Sequence, residues 1–165
     1  MKPFSLIAVV TLLLAGCASF DGRGLMPGQS TEQDVVALMG KPADRITVSG
    51  GDVVLYYPRQ PTGRQTFGVR LTPAGVVRSV NQLLTEENLK NLVPGVTSAA
   101  QVREIVGPPW RTSRLERQQR DVWEYYMINI TQWDYFLYVQ LSYDGVVREV
   151  MMVKDYTKEM GGTKD

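Results

Sequence analysis

"GLMPGQSTEQDVVALMGKP", Gly24–Pro42, has a second version in the same chain, "LVPGVTSAAQVREIVGPP", Leu92–Pro109. Aligning Pro27-Gly28 with Pro94-Gly95 pairs Val35 with Val102, Gly40 with Gly107 and Pro42 with Pro109, without a gap. In each copy Pro-Gly suits a type II turn, the glycine supplying a positive φ. Ser30 and Thr97 stand where an N-cap hydroxyl belongs, and Gln33 completes a capping-box spacing in the first copy only. Val35, Leu38 and Met39, like Val102, Ile105 and Val106, have the spacing of one buried helix face. Gly40 and Gly107 fit the left-handed stop of a helix, and a proline follows each.

The repetition continues downstream. "DVVLYY" from Asp52 matches "DVWEYY" from Asp121, which sets Tyr56 against Tyr125 and Tyr57 against Tyr126. "LTPAGVVRSV" from Leu71 matches "LSYDGVVREV" from Leu141. Three segments agreeing in the same order make an internal repeat. Strands are expected over 45–48, 52–57, 66–72 and 76–83, then over 111–115, 121–128, 135–142 and 146–153. Pro73-Ala74-Gly75 and Asp144-Gly145 suit turns closed by a glycine at positive φ. A further short helix is expected in "TEENLKNL", with Thr85 as its cap. The predicted class is therefore α+β: two tandem repeats, each with one or two short helices packed on a three- to four-stranded antiparallel sheet. Units of this size are marginal alone, so each should bury apolar surface against the other.

Of the 165 residues 44% are hydrophobic and 21% charged, a composition that folds. The first residues, "MKPFSLIAVVTLLLAGC", combine Lys2, a short apolar run and small residues ahead of the single cysteine, as a secretory signal does. The run is too short to span a bilayer. Leu14-Ala15-Gly16-Cys17 resembles the bacterial lipobox, which implies cleavage before Cys17 and acyl chains on it. A plain secreted protein is the alternative. A lone cysteine forms no internal disulfide. Ala18 and Ser19, with no aspartate after the cysteine, imply outer-membrane placement facing the periplasm. Loss of residues 1–16 removes Lys2 and no acid, so the mature chain has no net formal charge and nothing favours nucleic acid as a partner. The expected organisation is a signal peptide at 1–16, a lipidated leash at 17–24, repeats at 25–84 and 85–156, and a polar tail at 157–165.

The motifs Gly28, Ser30, Val35, Leu38, Gly40 and Pro42, repeated at Gly95, Thr97, Val102, Ile105, Gly107 and Pro109, resemble the SmpA/OmlA (BamE-like) lipoprotein family. The resemblance covers nearly all the mature chain and implies BamE-like repeats with a role in outer-membrane assembly. The family unit is single, whereas here it is doubled, and that tandem is similar to the β-lactamase-inhibitor protein fold. A periplasmic inhibitor or ligand-binding protein is accordingly the second reading.

Little points to catalysis. The sequence has no histidine, the commonest general base and metal ligand, and Cys17 is taken by the anchor. Glu86-Glu87 fits a helix start, and Asp121 with Glu124 fits a hairpin edge, better than either fits a metal or acid/base site. No cofactor, metal or catalytic residue is expected. Two interaction surfaces are. Arg111, Arg114, Arg117 and Arg120 recur every third residue and would suit lipid phosphates or an acidic partner, or else are edge charges that oppose aggregation. Aromatic residues crowd the second copy, where Tyr125-Tyr126 and Tyr135-Phe136 point to opposite faces of a sheet. They serve either the core or a partner. Arg111, Arg114, Arg117, Tyr126 and Tyr138 are the candidate partner surface of a non-catalytic, membrane-anchored binding or scaffolding module whose partner is an envelope protein.

Overall fold

The computed structural model describes residues 20–157; the expected signal, Cys17 and the chain beyond 157 lie outside them. After each Pro-Gly turn comes a helix of eight residues, α1 (Glu32–Met39) and α3 (Ala99–Val106), with a short α2 (Glu86–Leu89) capped by Thr85 between them. Both caps fall one residue later than the sequence reading places them. Thr31 and Ser98 are the N-caps, and both copies close a capping box, with Asp34 and Gln101. Ser30 and Thr97 are occupied in the preceding turn, where their hydroxyls accept from the amides of Met26 at 2.9 Å and Val93 at 2.8 Å. The next hydroxyl therefore takes the cap. Ser98→Ala should cost about 1 kcal/mol in urea unfolding.

The rest is sheet. Strands β1 (Asp44–Thr47), β2 (Val53–Pro58), β3 (Thr66–Leu71) and β4 (Val77–Gln82) form one antiparallel sheet in sequence order. Strands β5 (Arg111–Leu115), β6 (Arg120–Ile128), β7 (Asp134–Ser142) and β8 (Val147–Lys154) form a second in the same order. The expected α+β class with BamE-like repeats is thus corrected: this is a mainly antiparallel β architecture, two four-stranded sheets with three short helices. α1 and α3 are only about two turns each and α2 about one, less than holds a helix in water unaided, so the sheets carry the fold and the helices cover them.

α1 closes one face of the first sheet over Val35, Met39, Leu55, Tyr57, Val69 and Leu71. α3 closes the second over Val102, Val106, Tyr125, Leu137, Val139 and Leu141. Both sheets break register at the same place, Arg70/Leu71 and Gln140/Leu141, and in both a bridge joins the cap region to the last hairpin, Thr31 to Val76 and Ser98 to Val146. Tyr57 donates to the Gly40 carbonyl at 3.1 Å, and Tyr125 donates to the Gly107 carbonyl at 3.2 Å. Tyr57 thus corresponds to Tyr125, not to Tyr126 as the matched sequences have it. A one-residue slip in a strand turns every side chain to the other face, so the local likeness of "LYY" and "EYY" misleads about which tyrosine is core.

The first sheet is covered on both faces, and Val54, Leu55, Tyr56 and Tyr57 are all buried. Its second face, with Val48, Val54 and Tyr56, receives the end of α3. A Cβ built on Gly107 would lie 2.6 Å from Cγ2 of Thr66 and 3.6 Å from the Tyr56 ring. Ion pairs Arg103–Asp44 and Arg70–Glu104, the latter at 2.8 Å, flank that contact. The β2–β3 hairpin reaches back across. Gln60 Oε1 accepts from the Tyr126 amide at 2.7 Å, and Arg64 pairs with Asp134 at 2.7 Å.

Burial, the largest cause, pushes the Tyr56 and Tyr57 phenols up to about 12 and raises Tyr125 as well. In the unfolded chain these groups ionise near pH 10. A raised folded-state value gives stability that is complete below that pH and is lost as pH climbs from about 10 through about 12, roughly 2–3 kcal/mol per phenol. Urea midpoints should hold up to about pH 9 and fall steeply above about 10.

Candidate interaction surface

The second sheet has one face under α3 and one facing outward. Strand register defines the outward face row by row, since residues directly opposite on antiparallel strands point the same way. One row is Arg111, Glu124, Tyr138, Met151; the next is Tyr126, Phe136, Val153. Rings stack along it, Tyr126 on Phe136 at 4.8 Å and Phe136 on Tyr138 at 6.4 Å between centroids. Phe136 and Tyr138 are half-buried, while Met151 and Val153 are 38% and 47% exposed. The Arg111 guanidinium lies 4.4 Å from the centre of the Trp110 ring. Burial and then the Glu124 carboxylate raise the Tyr138 phenol, with Arg111 acting the other way. The result is an aromatic and thioether strip bordered by one cation and one carboxylate.

Of the five expected surface residues, Arg111 and Tyr138 come together here. Arg114 does not, because a spacing of three on a strand reverses the face. It registers with Asp121 on the α3 side, binds that carboxylate at 2.9 Å, and lies 5.2 Å from the centre of the Tyr143 ring. Arg117 sits in a 3-10 turn, Glu116–Gln118, at the hairpin end. The arginines form no single patch. Tyr126 lies lower in the sheet: it is 9% exposed, its hydroxyl donates to Asp155 at 2.6 Å, and Arg64 lies 3.7 Å above its ring. It is a support beneath the strip.

Met151 and Val153 escaped the sequence reading, because apolar residues on a strand read as core, and Phe136 is placed there only as serving either the core or a partner. The signal was present in the repeat. In the first sheet, β3 has Thr66 and Gly68 where β7 has Phe136 and Tyr138. Small residues stand where a helix end approaches closely, and large rings stand where no helix of the described chain does.

The acidic pairs do not assemble. Asp121 and Glu124 face opposite sides of β6, and Glu87 is paired with Lys90 at 2.6 Å. Among the described residues no three acidic, histidine or cysteine side chains cluster as metal ligands would.

No family model matches the chain, and no curated protein does. One solved structure aligns, that of a DUF4309 family protein (YjgB) from Bacillus subtilis subsp. subtilis str. 168, at 20% identity over 81% of this chain and 84% of that one. Its TM-score of 0.31 is too low to carry an argument about fold or function.

Proposed function

We propose that this chain is a non-catalytic recognition module of the bacterial cell envelope, anchored in the outer membrane through acyl chains on Cys17. It binds another envelope protein through the outward face of its second sheet. The observation that carries this reading is the strip of Phe136, Tyr138, Met151 and Val153, left open where the corresponding face of the first sheet is buried under α3. Aromatic residues and methionine beside an arginine are the composition of interface centres. The lipobox-like Leu14–Cys17 and the absence of histidine from the chain support the anchor and the non-catalytic role.

The test is recovery of the acylated protein from detergent-solubilised membranes. The chain should bring down a protein in stoichiometric amount, and Tyr138→Ala with Met151→Glu should reduce that yield at least tenfold, the loss expected when a central anchor residue is removed. Recovery of the wild-type chain alone overturns the proposal. Cys17→Ser should abolish palmitate labelling and release the chain from membranes.

A further inference from the structure

We infer that the β6–β7 hairpin tip, residues 129–133, is a second membrane contact that inserts Ile130 and Trp133 into the lipid interface beside the acyl anchor. The inference rests on the acylation proposed for Cys17. Ile130 is 84% exposed and Trp133 44%. Beside them Lys154 lies 3.3 Å from the centre of the Trp133 ring and 4.8 Å from that of Tyr156, itself 54% exposed. Tryptophan, tyrosine and lysine around an apolar tip are the residues that settle at a bilayer–water boundary.

The backbone donors of the tip are satisfied. Each of its five amides has a partner within the protein. Asn129 N donates to the Trp133 carbonyl and Gln132 N to the Asn129 carbonyl, both at 3.0 Å. The side-chain oxygen of Asn129 accepts from the amides of Thr131 at 3.1 Å and Trp133 at 2.9 Å, and Glu86 accepts from Ile130 N at 3.4 Å. With its amides paired, the tip's backbone donors cost little to bring out of bulk water into the lipid interface.

Position supplies the second argument. The Phe20 ring, 48% exposed, lies 3.7 Å beneath the Arg59 guanidinium, and Gly22 is buried against Val80. Arg59 begins the β2–β3 hairpin, and Arg64 of that hairpin binds Asp134, the first residue of β7. Phe20 and the 129–133 tip therefore share one end of the molecule. Only Ala18 and Ser19 separate Phe20 from Cys17, so covalent geometry holds Phe20 within roughly 10 Å of the acylated residue. Acylation at Cys17 therefore keeps that end of the molecule near the bilayer. The other hairpin tip of β6, at Glu116–Gln118, lies at the far end of a nine-residue strand, about 30 Å away.

The experiment uses the acylated protein in phosphatidylcholine vesicles, where attraction to anionic headgroups plays no part. Acylation blocks Cys17, so Ile130→Cys or Gln118→Cys supplies the one free thiol for an environment-sensitive fluorophore. At position 130 the emission should shift to the blue and be quenched by nitroxide-bearing acyl chains; at 118 neither should occur. Protein that floats with the vesicles yet shows the same water-like emission at both positions overturns the inference and leaves the anchor standing. Protein that does not float overturns the anchor and this inference with it.

Discussion

Asp134→Ala is expected to lower stability by about 3–5 kcal/mol, because it strands a desolvated guanidinium. Arg64 and Asp134 are 17% and 9% exposed at their side chains, and two bonds join them, Nε to Oδ1 at 2.7 Å and Nη2 to Oδ2 at 3.4 Å. The guanidinium also covers the Tyr126 ring. Removal of one partner leaves the other charge with little access to water, and that penalty exceeds what the intact pair contributes. Replacing both, as Arg64→Met with Asp134→Leu, should cost much less than either single truncation, since an apolar pair leaves no stranded charge. Equilibrium urea unfolding of the three variants decides the matter. Equal losses in all three would mean that packing, not charge, is what the site supplies. A domain stable by about 5–15 kcal/mol cannot absorb the single change easily, and the loss would fall on the seam between the sheets.

Gly107→Ala against Gly40→Ala should separate backbone strain from packing at that same seam. The two glycines have φ of 87° and 84° with ψ of -175° and -170°, a glycine-only conformation, so alanine pays the same conformational penalty at each, about 1–3 kcal/mol. Gly40 has nothing within 4 Å of a built Cβ, whereas at Gly107 the Thr66 methyl is 2.6 Å away. Thr66 is fully buried, and its hydroxyl accepts from Gln60 at 3.2 Å, so it cannot swing aside without breaking that bond. Overpacking should add about 1–3 kcal/mol at Gly107 alone. Equal losses at the two positions would mean that α3 does not press on the first sheet.

Local rules made the strands readable. Their spans lie within about two residues of the expected ones at every end, because alternation and glycine turns are written in neighbouring residues. The helix ends at Gly40 and Gly107 were legible for the same reason, but their conformation was not: φ is positive as expected, yet ψ of -170° and -175° is extended, not the left-handed turn. What failed required knowledge of neighbours distant in sequence. The class was misjudged because the helical stretches are conspicuous motifs but short elements. The caps moved by one residue because Ser30 and Thr97 were already engaged in turns. The arginine spacing suggested one surface, yet β5 places Arg111 and Arg114 on opposite faces. Tyr126 could not be told from Tyr138 by sequence, since its cover comes from Arg64, in the other sheet's hairpin. The recognition strip became visible only when register set Tyr138 beside Met151 and Phe136 beside Val153.

The most direct test of that strip is photocrosslinking in intact cells from probes placed singly at Tyr138, Met151 and Val153, with Asn81 on the first sheet and Gln118 on the far hairpin as controls. The account predicts one shared protein adduct from the three strip positions and none from the controls. Adducts from the controls alone, or no adduct from any strip position, would contradict it.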